Sequence, residues 1–304
     1  MDPDELYTLR AQYWLGHYGL SIDEAKSTAR RPMTPQLKVE REEFYLRALL
    51  ELKQYDDVIR EAQSGDKGPG IRALCFRAKY DSPATPEASK ESILSELQLL
   101  VSDASTSSAT AQLVAAQTFL SHGEMTKEAL SCVHLGTTME HLALTVQIYI
   151  RMDRIDLAKK TLASMKQADE EAVLTQLCSV YINLAVGRSE VQDAIHTLGS
   201  LTEQYGNSPM LLNLNASAYI IAGRYSEAET CLTEAISEEE GTGSSSDTLI
   251  NLVVCYQQLG KGMDAIGPVL EQLKRGFASH PFVQGLARVE GAFERESIKY
   301  KVAA

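Results

Sequence analysis

The chain has 304 residues, 44% of them apolar, with 29 basic against 41 acidic side chains and a net charge of −12. That size and apolar content suit an ordinary globular or repeat fold. The acidic balance argues against nucleic-acid binding, which needs a basic footprint, and against unaided docking to an anionic membrane.

The opening MDPDELYTLR is acidic and lacks an apolar stretch, so it does not read as a signal peptide. No apolar run approaches the length of a membrane span. Apolar residues recur at helical spacing almost everywhere, and no Asn-Gly or Asp-Gly hairpin turn occurs, so the chain is expected to be all-α. Gly16 and Tyr18 precede one helical run, and Lys53 and Tyr55 precede another 37 residues later. GDKGPG (65–70) is a turn, SDASTSSAT (102–110) a polar linker, and SHGEMTKEAL (121–130) a turn followed by a helix. Then come QIYI, SVYI, SAYI and VCYQ, which place Tyr149, Tyr181, Tyr219 and Tyr256 at steps of 32, 38 and 37. Each is followed by a break (RMDR, AVGR, AGRY, LGKG) and a second helix with a small residue near its start. Those residues are Ala158, Ala194, Ala228 and Ala265, at steps of 36, 34 and 37. EEEGTGSSSD (238–247) reads as a flexible loop.

A helix pair repeating every 34 or so residues is the tetratricopeptide pattern. In ASAYIIAGRYSEAETCLTEAI (216–236), Gly223 ends the first helix, Tyr219 fills the space between neighbouring pairs, and Ala216, Ala228 and Ala235 let backbones approach. The expected fold is an all-α, tetratricopeptide-like α-solenoid of roughly eight helix pairs. It forms one superhelical domain over 1–304, with a loop at about 238–247 and a helical cap at about 281–304.

Catalytic, cofactor and metal motifs do not emerge. GDKGPG lacks the phosphate-loop pattern, and Pro69 removes a backbone donor. His134 and His141, with Glu140 beside the second, could share a helix face. Gly136 lies between them, however, and no third ligand has motif spacing. GTGSSS (241–246) has no nucleophile-elbow pattern. Cys75, Cys132, Cys178, Cys231 and Cys255 are scattered and odd in number, as expected of reduced thiols.

What remains is surface. The first helix of each pair lines the concave face of such a solenoid, where it holds an extended element of another protein. Groove-facing positions lie six and two residues before each repeat tyrosine and one after it. They are Ala143, Gln147 and Ile150; Thr175, Ser179 and Ile182; Asn213, Ser217 and Ile220; Ile250, Val254 and Gln257. The lining sets hydrogen-bonding side chains beside an apolar stripe. It holds no lysine or arginine, so it is not built to clamp an acidic C-terminus.

Long segments resemble the coatomer epsilon subunit family. They are DELYTLRAQYWLGHYGLSIDEA (4–25), VEREEFYLRALLELKQYDDVI (39–59), LALTVQIYIRMDRIDLAKKTLASM (142–165), DEEAVLTQLCSVYINLAVG (169–187), AGRYSEAETCLTEAI (222–236), DTLINLVVCYQQLGK (247–261) and SHPF (279–282). The resemblance departs at 241–246 and in the final FERESIKYKVAA. It implies a non-enzymatic vesicle-coat component that binds the C-terminal domain of the coatomer alpha subunit by closing around an extended hairpin. It also implies cycling between cytosol and Golgi membranes in retrograde Golgi-to-endoplasmic-reticulum transport, without cofactor or small-molecule substrate. Another tetratricopeptide adaptor, for SNARE disassembly or a chaperone, is the alternative.

Overall fold

A computed structural model describes residues 4–64, 67–102, 107–123, 125–238 and 245–300. These contain α-helices, a short 3-10 turn and no strand. The chain divides into two compact units, Met1–Gly206 and Asn207–Ala304. The first holds α1 (Tyr7–Trp14), α2 (Tyr18–Ser27), α3 (Pro35–Glu51), α4 (Tyr55–Ala62), α5 (Pro69–Asp81), α6 (Glu87–Ser102), α7 (Ala109–His122), α8 (Thr126–Val133), α9 (Met139–Arg151), α10 (Ile155–Ala168), α11 (Val173–Val186) and α12 (Val191–Tyr205). The second holds α13 (Pro209–Ala222), α14 (Tyr225–Glu238), α15 (Ser246–Gln258), α16 (Met263–Gly276) and α17 (Pro281–Lys299). Each odd helix up to α15 packs against the even helix after it. The described residues therefore form eight pairs and a ninth odd helix, matching the expected solenoid. The centre of the 238–247 loop (239–244), the start of GDKGPG (65–66), the middle of the polar linker (103–106), Glu124 and the last four residues lie outside the described residues.

The turn inside five of the eight pairs is built by one device. The residue that ends the odd helix takes a positive φ, and its amide and the next one bond back to the last turn. At Gly223 (φ 77°) its own amide reaches the Ile220 carbonyl at 3.1 Å and the Arg224 amide reaches Tyr219 at 2.8 Å. Gly16 and Gly260 repeat this geometry, and so do Lys53 (φ 60°) and Asp153 (φ 56°), which are not glycines. The cation after the turn lies over the repeat tyrosine: Arg224 is 4.7 Å from the Tyr219 ring centre and Lys261 4.3 Å from that of Tyr256.

Helix starts are capped in two ways, with α1, α5 and α11 using neither. Thr34, Ser108, Thr138, Ser208, Ser245 and His280 cap α3, α7, α9, α13, α15 and α17 with their side chains. No side-chain cap serves α2, α4, α8, α10, α12 or α16; all but α2 carry Asp or Glu in the first turn instead, against the positive end of the helix dipole. The small contact residues are where close approach needs them: Ala158, Ala194, Ala216, Ala228 and Ala235 are fully buried. Ala265 is only half-buried, because Ile266 takes the core position beside it. Cys75, Cys178 and Cys255 are buried, Cys132 and Cys231 half-buried, and all five are free thiols.

Candidate partner-binding faces

In the second unit, the α13–α15 face carries a polar ladder. The Asn213 amide donates to the Pro209 carbonyl at 2.9 Å and to the Thr248 hydroxyl at 2.7 Å. Ser217 donates to the Asn213 carbonyl at 2.9 Å, and Asn251 reaches the Ser217 hydroxyl at 3.4 Å. The predicted polar residues therefore pair across the two helices as well as facing outward. Asn251 and Thr248 were not foreseen; they lie one turn apart on α15, and Asn251 lies one turn before Val254, so the helical period held that signal. Beside the ladder, Ile220 and Ile250 are half-buried against the core, Val254 is half-buried, and Gln257 is exposed.

In the first unit, the same register gives a different outcome. Gln147 is exposed, and Ile150 is half-buried against the core beneath α9 and α11. Thr175 is 1% exposed and donates to the Asp169 carbonyl at 2.8 Å. Ile182 is also 1% exposed and packs with Ala143, Val146 and Cys178. Ser179 between them is half-buried. The side chains of Thr175 and Ile182 are thus already engaged within the unit.

This unit also returns on itself: α1 packs against α11, and the hydroxyls of Tyr7 and Tyr205 lie 2.9 Å apart. At the centre of the closure, Arg47 on α3 grips Glu140 at the start of α9 with two hydrogen bonds, of 2.6 and 3.1 Å. Trp14, the only tryptophan, donates its indole N–H to the same carboxylate at 2.9 Å. The guanidinium also lies 4.5 Å from the Tyr13 ring centre and 4.6 Å from that of Phe44. Burial alone would push the Glu140 carboxyl up; the Arg47 charge and the bonds from Arg47 and Trp14 together outweigh it and hold the carboxyl below its ordinary value. Burial raises the Tyr13 hydroxyl to about 12. Sequence reasoning missed this cluster; an arginine inside the apolar run FYLRALL was its one visible trace.

The histidine pair is also accounted for. His141 is 2% exposed; its Nδ1 lies 2.6 Å from the Thr138 hydroxyl and its Nε2 3.1 Å from Gln112 Oε1. Burial holds it below the ordinary histidine value, with Glu140 opposing. His134 is exposed and bonds the Ser131 carbonyl. Among the described residues, no three His, Cys, Asp or Glu side chains converge, and no helix is long and apolar enough to cross a membrane.

Comparison with known proteins decides the family. The model of the coatomer epsilon subunit matches residues 2–301. The chain belongs to the coatomer epsilon subunit family. Coatomer subunit epsilon-1 of Arabidopsis thaliana is 36% identical over 96% of both chains. Coatomer subunit epsilon of Dictyostelium discoideum is 29% identical over 97% of this chain and 98% of its own. Among solved structures, a tetratricopeptide repeat protein from Parabacteroides merdae superposes with a TM-score of 0.58 at 12% identity, covering 89% of this chain and 97% of that one. The APC/C hetero-tetramer Cut9-Hcn1 gives 0.57 at 14% identity, covering 99% of this chain and 58% of that one. These two likenesses concern the fold alone: an epsilon-family coat subunit is built as a tetratricopeptide-like solenoid.

Proposed function

We propose that the chain is a non-enzymatic structural subunit of the coat-protein-I vesicle coat that holds the C-terminal domain of the coatomer alpha subunit on its odd-helix faces. It does so at the cytoplasmic side of Golgi membranes, in retrograde Golgi-to-endoplasmic-reticulum transport. Two faces take part: Gln147, Ile150 and Ser179 in the first unit, and Asn213, Ser217, Ile220, Ile250, Val254 and Gln257 in the second. Thr175 and Ile182 support the first face from beneath.

One observation carries this reading. Helices α11 and α13 contain no Asp, Glu, Lys, Arg or His, and α15 contains only Asp247, whereas α14 carries Glu227, Glu229, Glu234 and Glu238. Charge is thus nearly absent from α11, α13 and α15, while α9, which carries Gln147 and Ile150, holds Glu140, His141 and Arg151 only towards its ends. A charge-free face with amide and hydroxyl groups beside half-buried isoleucines fits an extended segment that needs backbone partners and apolar pockets. It does not fit a carboxylate clamp, which needs bidentate cations. The test is co-expression with the C-terminal domain of the alpha subunit, followed by size-exclusion chromatography at micromolar concentration. One stoichiometric peak is expected, lost in a Val254→Asp/Gln147→Arg variant whose helical circular dichroism is unchanged. Two separate peaks for the unaltered chain would refute it.

A further inference from the structure

In a chain of net charge −12, residues 26–38 (KSTARRPMTPQLK) hold four cations and no acidic side chain. They form the corner between α2 and α3, through the 3-10 turn Thr28–Arg30. One carbonyl organises that corner. Thr28 accepts the Arg31 amide at 3.0 Å and the Arg41 guanidinium at 3.1 Å, so Arg31 and Arg41 are neighbours across it. Lys38 lies one turn before Arg41 on the same flank of α3, and Arg30 adjoins Arg31. Arg30, Arg31 and Lys38 are exposed, and Arg41 is half-buried. None of the four forms an ion pair among the described residues. The acids closest in sequence are engaged elsewhere: Glu40 with Arg10 at 2.8 Å, Glu42 with Lys67 at 2.6 Å, and Glu24 with the Ser27 hydroxyl at 3.2 Å.

Cations gathered in this way repel one another in the free chain. Lys38 adds to the strain. It stands in the first turn of α3, against the positive end of that dipole, where an acidic residue stabilises and none is present. A placement that works against the stability of the free chain is the mark of a functional one.

We propose that this corner binds an acidic segment of a partner polypeptide, whose carboxylates sit on Arg31 and Arg41 and are flanked by Arg30 and Lys38. Guanidinium groups take carboxylates in two-pronged pairs, and Lys38 adds a compact charge beside them. The geometry prepares the site, because the Thr28 carbonyl and the Thr34 cap on α3 fix the backbone that carries these side chains. Charge selects a narrow ligand. A bilayer or a nucleic-acid helix presents an extended anionic surface, which the acidic remainder of the chain repels, whereas a peptide strand meets the corner alone. The site lies outside the faces of α9, α11, α13 and α15 and stands whether or not the alpha-subunit reading holds.

The test uses the full chain and a fluorescent peptide of about ten residues, half of them glutamate, long enough when extended to span the corner. Its twin has glutamine at those positions. By anisotropy at low salt, the glutamate peptide is expected to bind roughly tenfold tighter than its twin, an advantage that shrinks as salt is raised. Arg31→Glu/Lys38→Glu should remove the advantage. Lys160→Glu/Arg188→Glu, the same change of charge at two exposed cations elsewhere, should keep it, and so should Val254→Asp. Lys38→Glu alone should weaken the glutamate peptide while raising the melting temperature of the free chain by about 1–3 °C, which separates lost binding from lost folding. Three results would each overturn the proposal: equal binding of the two peptides, equal loss in both charge-reversed double variants, or co-sedimentation with phosphatidylserine vesicles that Arg31→Glu/Lys38→Glu abolishes, which would give the corner to a membrane.

Discussion

Removing one partner of the Arg47–Glu140 pair should reveal what closes the first unit. The side chains of Arg47 and Glu140 are 7% and 19% exposed, so deleting either strands the other in a poorly solvated site. Breaking such a pair costs about 3–5 kcal/mol. For a unit of this size that corresponds to a melting shift of roughly 6–20 °C. Replacing both residues with methionine keeps volume and removes both charges, and should recover most of the loss. The assay is urea unfolding of Arg47→Met, Glu140→Met and the double variant. Trp14 emission is the local probe, since its indole bonds the carboxylate directly. Acid titration adds a signed check. The Glu140 carboxyl is held below its ordinary value, so its contribution is complete above the unfolded-state value near 4.3 and fades as pH falls through the lower folded one. Glu140→Gln should flatten that part of the profile. Single variants costing under about 1 kcal/mol, or a double variant as damaging as the two singles together, would show that the pair does not hold the closure.

Further outcomes follow from other positions. Asp153→Gly should stabilise by about 0.5–1 kcal/mol in urea melts, because an L-residue is strained at its positive φ, while Gly223→Ala should cost about 1 kcal/mol at the equivalent turn. Glu43 has the opposite sign from Glu140: burial raises its carboxyl even though the Thr110 hydroxyl donates to it at 2.6 Å. The native state therefore binds that proton more tightly, and Glu43→Gln should stabilise at pH 7, with the gain shrinking as the pH is lowered. Ala228→Leu, at a fully buried helix crossing, should cost about 1–3 kcal/mol by overpacking. Ile182→Asp should unfold the first unit, with loss of helical circular dichroism, rather than merely weakening partner binding.

The repeat was legible because its signals are local. A tyrosine, a turn and a buried alanine recur with the helix pair, and Tyr219, Gly223 and Ala228 occupy the places their spacing assigned. Lys53 and Asp153 show the limit within the same motif, since their positive φ is imposed by the pair geometry although neither residue is glycine. The faces were legible by register and not by depth. Ile150, Ile182 and Ile220 hold one position relative to their tyrosines, yet only Ile182 is sealed in the core. The difference lies in what packs behind each helix, a long-range matter that periodicity does not encode.

Arg47, Glu140 and Trp14 set the first unit apart from the second. Arg47 and Glu140 are 93 residues apart and Trp14 and Glu140 126, so no window of sequence pairs them. Their convergence joins α1, α3 and α9 inside the first unit. The second unit has no comparable charged pair among its described residues. Its α13–α15 ladder is made of amides and hydroxyls, whose hydrogen bonds cost little to reorganise beside those of a buried ion pair. A partner strand can therefore exchange bonds with Asn213, Ser217 and Asn251 at small expense, whereas entry into the first unit must contend with the closure. On that reasoning, mutations at Val254 and Gln257 should weaken alpha-subunit binding through faster dissociation, and Glu140→Gln should instead speed association, a contrast that surface plasmon resonance on the two variants would resolve.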